Sequence, residues 1–370
     1  SYSSDIGIPY SAMNGYGHYV WPFIIYKLYW GGFAILLAIM ANLLWVRGTE
    51  TLPKWRFKIA RLNFNGKSLA ATAAALAVFL ISGGFIFYNT NIRNDYFTSD
   101  DMEDMQAEVE KKYKKYEKVP QPRIVEVNVQ ADLYPEEREF GFKGFYWLKN
   151  KTKVAIDSVH FNVNQNAEIR KLAFEKPAKQ VLADVDFGYY IYRLSQPLQP
   201  GDSVKLNLEV FYPNKGFTNN GSNNNIVYNG TFVNSNYLPG IGYDASGELS
   251  DDDIRKEQGL PEKPRMADVH DEEARHNTYI SNDADWIRFQ ATVSTSEDQI
   301  AIAPGYLQKE WKKDGRRYFH YKMDAPILNF YSFLSADYEV KKDKWVGPDG
   351  KPVNIEVYYH NGHEYNLDRM

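Results

Sequence analysis

Seven histidines and no cysteine bound the metal and nucleophile chemistry open to this chain. Without cysteine there is no disulfide, no thiolate metal ligand and no cysteine nucleophile. Two groups of histidines have ligand-like neighbours. His270 and His276 bracket Asp271, Glu272 and Glu273, in a stretch that could be helical. A spacing of six puts the two imidazoles on different faces of a helix, so they do not converge on one ion. His360 and His363 stand with Glu364 in a short segment after the last strand-like run. A turn could bring them together, but no third ligand of suitable spacing follows, so they read as a surface turn. His-Glu-x-x-His, Gly-x-Ser-x-Gly and a phosphate-binding glycine loop are all absent. The residues hold no catalytic constellation and no metal site.

The elements that would have to position any chemistry are unusual. Pro22 to Val46 carries one charge, Lys27, and Ser68 to Tyr88 carries none. Each exceeds the roughly 20 residues that a helix needs to cross a bilayer. The linking segment has Arg47, Lys54, Arg56, Lys58, Arg61 and Lys67 against Glu50 alone. Short loops rich in Lys and Arg stay cytoplasmic, so both flanking regions are expected outside the cytoplasm. A cleavable signal peptide is a poorer reading, because the first apolar run is too long and a second follows. Tyr10, Tyr16, Tyr19 and Trp21 crowd the outer end of the first span, and Trp45 and Trp55 its inner end, as interfacial aromatic belts do. Lys27 is expected to snorkel into the headgroups. Gly31, Gly32, Gly83 and Gly84 could allow close helix packing. The first 20 residues read as the outer approach to a helix, and further membrane polypeptide is expected before Ser1.

Organisation is therefore expected as an approach segment (1–21), a span (22–46), a basic cytoplasmic loop (47–67), a second span (68–88), a charged helical stalk (89–119) and a β-rich extracytoplasmic domain (120–367). In the stalk, Met102, Met105, Val109, Tyr113 and Tyr116 recur at helical spacing. Acids open it and lysines close it, which suits the helix macrodipole. Thr98 or Ser99 could cap it, and Pro120 and Pro122 end it. From Arg123 the period becomes two: Val125, Val127 and Val129; Val159, Phe161 and Val163; Val204, Leu206, Leu208 and Val210; Ile287, Phe289, Ala291 and Val293; then Ile355, Val357 and Tyr359. Alternation with polar residues marks strands that have one buried face. The fold class is a membrane α-helical hairpin followed by an all-β antiparallel saddle or sandwich. Residues 244–282 break the pattern and read as a charged surface insertion with a short helix. Asn220-Gly221-Ser222 and Asn229-Gly230-Thr231 match the glycosylation sequon but read as turns. The net charge of −4 implies no nucleic-acid partner.

Three segments carry a resemblance: Tyr212-Pro213-Asn214-Lys215-Gly216-Phe217, the run Val227 to Ser235 containing Asn229-Gly230-Thr231-Phe232, and Leu238-Pro239-Gly240-Ile241-Gly242-Tyr243. With the opening Tyr10 to His18, they resemble bacterial proteins that fuse an ABC transporter permease to an aminopeptidase N-type zinc metallopeptidase. The resemblance covers nearly the whole chain. It implies the last permease helices followed by the peptidase's N-terminal β-saddle, with the thermolysin-like zinc domain beyond Met370. No cofactor is expected in this chain, and zinc is expected in that further domain. The segment Thr231 to Tyr243 would lie near the substrate cleft, which makes Thr231, Phe232, Asn234 and Tyr243 the candidate cleft residues. Family members anchor the peptide amino terminus there with Gln or Glu and carry an Ala-Arg pair. This chain has neither, so that role does not transfer directly. The implied partners are the bilayer, the remaining permease helices, the catalytic domain, a cytoplasmic ATPase and a peptide substrate, at a bacterial inner membrane. The other readings are a transport component that recognises cargo and a non-enzymatic adhesive β-domain.

Overall fold

The structure, a computed structural model, describes residues 5–45, 52–219, 221, 224–264, 267–272 and 286–369. It divides into two compact units. One comprises residues 1–97 with 215–223, the other residues 98–214 with 224–370.

In the first unit, α1 (Val20–Leu44), α2 (Pro53–Asn63) and α3 (Gly66–Phe87) follow one another, and a π-turn at Tyr88–Ile92 extends α3. α1 and α3 are long and apolar enough to cross a bilayer. Asn65 caps α3 by accepting the amide hydrogens of Lys67 and Ser68 at 3.0 and 3.1 Å. One glycine of each pair faces the neighbouring helix. A Cβ on Gly32 would sit 3.0 Å from the Phe79 nitrogen, and one on Gly83 would sit 3.0 Å from the Tyr29 ring, whereas Gly31 and Gly84 have open space. Tyr29 stacks on Phe79 with ring centroids 4.7 Å apart. Lys27 has a partner that hydropathy did not reveal: Asp5, at 2.7 Å. Asn94 donates to the Lys215 carbonyl at 2.7 Å, which ties residues 215–223 into this unit.

The second unit opens with α4 (Ser99–Tyr113). Thr98 rather than Ser99 is its cap. The Thr98 hydroxyl accepts the Asp101 amide hydrogen, and the Asp101 carboxylate accepts the Thr98 amide hydrogen, so two orphan donors are satisfied. Strands β1 (Arg123–Tyr134), β2 (Glu139–Lys149), β3 (Ile156–Asn162), β4 (Glu168–Phe174), β5 (Ala178–Asp184), β6 (Tyr189–Leu198), β7 (Ser203–Tyr212), β8 (Thr231–Asn234) and β9 (Gly240–Ile241) follow. Beyond the short helix α5 (Asp252–Glu257) come β10 (Trp286–Ser296), β11 (Ile300–Ile302), β12 (Tyr306–Lys313), β13 (Arg316–Lys322), β14 (Ile327–Leu328), β15 (Ser332–Ala336), β16 (Tyr338–Val346) and β17 (Pro352–His360).

Four sheets result. The largest runs β12-β13-β10-β1-β2-β7-β4, with β14 added to β10; the others run β11-β15-β8, β5-β6-β3-β9 and β16-β17. Pairing is antiparallel except between β1 and β10, which run parallel with Val127 beside Phe289 and Val129 beside Ala291. A parallel neighbour needs a long crossover, and the excursion between Tyr134 and Trp286 provides it. The alternating residues of β1, β7 and β10 point into one core, where Val127, Val129, Leu206, Leu208, Ile287, Phe289 and Val293 are buried; the last run does not, because β17 pairs only with β16 among the described strands and Ile355 is exposed. A bulge between Ile124 and Glu126 shifts the start of β1, so Ile124 is buried and Val125 is only half-buried. Gly144 lies where β1 and β2 cross closely: a Cβ there would stand 2.1 Å from the Asn128 carbonyl oxygen.

Candidate functional site

The four cleft candidates occupy different environments. β8 pairs with β15, with Val233 opposite Phe333 and Thr231 opposite Ser335. Strand alternation turns Thr231 and Val233 inward and Phe232 outward. Thr231 is buried and its hydroxyl donates to the Val227 carbonyl at 2.9 Å. Phe232 is 46 % exposed, an apolar ring held toward solvent by a short strand. Asn234 caps the next turn, its Oδ1 accepting the Asn236 amide hydrogen at 3.0 Å. Tyr243 lies beyond β9, is buried, and donates its hydroxyl to Glu248 Oε1 at 3.0 Å. The fold brings the first three together on one strand and sets Tyr243 apart in the wall of a cavity.

That cavity encloses about 180 Å³. Residues 235–246 form one side of it, and Ile124, Tyr146, Asn162, Asn329 and Tyr331 contribute the rest. β9 is placed by its pairing with β3, Phe161 beside Ile241 and Asn162 beside Gly240. Asn162 donates to the Gly242 carbonyl at 3.0 Å. A Cβ at Gly240 would fall 2.6 Å from Asn162 Oδ1, so only glycine lets that amide lie against the turn. Among the described lining residues Asp244 supplies the carboxylate, and it accepts the Ser246 amide hydrogen at 2.9 Å. Asn329 is 7 % exposed, and its Oδ1 is buried without a hydrogen-bond partner. A buried unpaired carbonyl oxygen costs about 1–3 kcal/mol.

A charge network buttresses this wall. Arg255 of α5 is fully buried and donates two hydrogen bonds to the Glu110 carboxylate, each 2.8 Å, and one to the Leu249 carbonyl, also 2.8 Å. Lys114 bridges Glu110 at 3.1 Å and Glu248 at 2.9 Å. The Arg255 hydrogen bonds hold the Glu110 carboxyl below its ordinary range. Burial first, and then the Glu248 carboxylate, push the Tyr243 hydroxyl upward. Arg255 therefore fastens this stretch to Glu110 of α4, while most of residues 244–264 stay exposed. Tyr113, Val109 and Tyr116 of the α4 stripe form a second small core with Tyr189, Ile191 and Tyr243. Within it, His160 is buried and meets the Tyr189 hydroxyl at 3.0 Å. Burial pushes its imidazole down to about 4.

The histidine groups are only partly described. Among the described residues no three His, Asp or Glu side chains are placed to hold an ion. His360 and His363 have ring centroids 5.4 Å apart, and Glu364 accepts the Gly362 amide hydrogen instead. His276 and Glu273 lie outside the described residues. The Asn229 sequon is in a buried turn, where the side chain accepts the Asp337 amide hydrogen at 2.9 Å and lies 3.3 Å from His360. The Asn220 sequon falls partly outside the described residues.

Sequence reasoning missed Asn329, Glu110 and Arg255. Glu110 carried a weak signal, being one residue past Val109 on the inward stripe of α4. Arg255 and Asn329 carried none.

No protein-family model matches the chain, and no curated protein matches its sequence. Its structural neighbours include M1 zinc metallopeptidases. One is a mutant of the Deinococcus radiodurans enzyme bound to a Tyr-Ser-Ala substrate, with TM-score 0.41, 13% identity, and coverage of 65% of this chain and 48% of that one. The Deinococcus radiodurans enzyme itself gives TM-score 0.39 and 14% identity over the same shares. Legionella pneumophila aminopeptidase A in complex with aspartic acid gives TM-score 0.41 and 11% identity, with 65% of this chain and 24% of that one covered. The chain thus spans about half the length of the Deinococcus protein and about a quarter of the Legionella protein.

Proposed function

We propose that this chain is the membrane-anchored N-terminal part of a zinc aminopeptidase fused to an ABC transporter permease. α1 and α3 are then permease helices in a bacterial inner membrane, and the β-domain stands outside the cytoplasm. The β-domain shapes one wall of the peptide cleft, and zinc and the hydrolytic step belong to a further domain. The observation that carries the reading is the pairing of two apolar, membrane-length helices with a β-domain in which the Asn-Gly-Thr-Phe strand holds Phe232 outward. An exposed aromatic on a strand held from behind by Thr231 and Val233 suits contact with an extended peptide. No step of hydrolysis is assigned to residues of this chain.

The test is zinc content and cleavage of an aminoacyl reporter by the polypeptide extended past Met370, beside the 370-residue chain. Zinc and cleavage are expected in the extended form only. An extended form that neither binds zinc nor cleaves the reporter overturns the proposal and leaves a transport-associated or adhesive β-domain.

A further inference from the structure

The short helix α2, between the two apolar helices, carries two parallel stripes. Lys54, Lys58 and Arg61 recur at i, i+4 and i+7, which sets them on one face. Trp55, Ile59 and Leu62 recur at the same spacing one residue later, about 100° further round the helix. Ile59 is half-buried, whereas Trp55 and Leu62 are 47 % and 77 % exposed, so no described part of the unit covers their outer surface. The basic stripe has no counter-charge among the described residues. No Asp or Glu occurs from residue 52 to residue 94, and no described carboxylate pairs with Lys54, Lys58 or Arg61. Lys58 Nζ lies instead over the Trp55 ring, 4.8 Å from its centroid, which couples the two stripes.

Chain connectivity decides where these stripes stand. Phe64 and Asn65 alone separate α2 from α3, and two residues reach at most about 7 Å. A helix so closely joined to a membrane span stays at the bilayer surface. The general bias of Lys and Arg toward one side of a membrane asks only that the charges lie in the loop. It does not align them on one helical face beside a stripe of Trp, Ile and Leu, which is the pattern of helices lying in the interface. There the apolar stripe enters the acyl boundary and the basic stripe stands at headgroup level. Ammonium and guanidinium groups donate and cannot accept, so they favour a headgroup with net negative phosphate over a zwitterionic one. We propose that Lys54, Lys58 and Arg61 bind the phosphodiester headgroups of anionic phospholipids in the leaflet on which α2 lies, a reading that rests on α1 and α3 as spans but not on a permease or a peptidase.

An acidic protein partner would suit the same cations. The bilayer has the advantage of tethering: the adjoining span holds α2 at the headgroups in every copy of the chain, so lipid meets the stripe at high effective concentration. It also covers Trp55 and Leu62, which the described residues leave exposed.

The test is reconstitution of the 370-residue chain into phosphatidylcholine vesicles with a trace of spin-labelled phosphatidylglycerol or spin-labelled phosphatidylcholine. The motionally restricted fraction of each probe gives their relative affinity for the protein. Phosphatidylglycerol should be preferred by about threefold or more at low ionic strength. Most of that preference should vanish in about 1 M NaCl, where the screening length falls to about 3 Å. Lys54→Gln, Lys58→Gln and Arg61→Gln together should abolish it, and these side chains are exposed, so the fold is undisturbed. Lys58→Gln alone should weaken it more than Arg56→Gln, which removes the same charge from the opposite side of α2. Restricted lipid of neither kind would remove the spans, and the headgroup site with them. Restricted lipid without preference for phosphatidylglycerol would leave the spans in place and overturn the headgroup site alone. A preference that survives the triple variant, or that Arg56→Gln lowers as much as Lys58→Gln, also overturns it and leaves the stripe to a protein partner.

Discussion

Glu110 on α4 and Arg255 on α5, 145 residues apart in sequence, meet in a fully buried pair with two parallel 2.8 Å hydrogen bonds. Neither charge has water to fall back on. Removing one partner strands the other, so Glu110→Ala should cost about 3–5 kcal/mol. The double change Glu110→Leu with Arg255→Met removes both charges, and it should recover most of that loss. Urea unfolding followed by tryptophan fluorescence reads both. A single variant as stable as the native chain would show that the pair holds nothing in place.

His160 should make the second unit acid-sensitive in a defined window. Its imidazole stays neutral in the fold down to about pH 4, because burial disfavours the charged form and the nearby Asp157 carboxylate offsets this only in part. In the unfolded chain it protonates near its ordinary value of about 6.5. Between these values the unfolded state binds the extra proton, so stability falls as pH drops from about 6.5 to about 4, by on the order of 3 kcal/mol. His160→Gln lacks this titration, and the difference in stability between the two proteins should change across that window. Ring titration by NMR offers a direct check, and an imidazole that charges at pH 6.5 in the folded protein would refute the assignment.

The sidedness of the helices is open to a labelling experiment. With the basic segment in the cytoplasm, a cysteine at Lys58 should resist an impermeant thiol reagent in intact cells and react after lysis. A cysteine at exposed Lys313 should react in intact cells. The native chain has no cysteine, so no background labelling arises. The reverse pattern would invert the topology.

Several features of this protein were legible because they depend on local spacing alone. Apolar runs longer than a bilayer is thick mark α1 and α3, and two-residue alternation marks β7 and β10, since each pattern follows from the geometry of a single element. The spacing of Met105, Val109 and Tyr113 likewise identified the inward face of α4, although Met102 of the same stripe is exposed. What the tertiary structure decided was pairing at long range. Which glycine of each pair in the spans meets the other helix depends on how the two helices are rotated. The parallel contact of β1 with β10 depends on a crossover of some 150 residues, whose return direction no local pattern encodes. Arg255 reads as one more surface charge beside Lys256 and Glu257, and only the fold places Glu110 against it. Asn329 sits in a turn where asparagine is common, and it becomes a buried acceptor only when residues 235–246 close over it. Local periodicity is a property of one segment, whereas burial and partnership of a polar side chain are properties of two segments brought together.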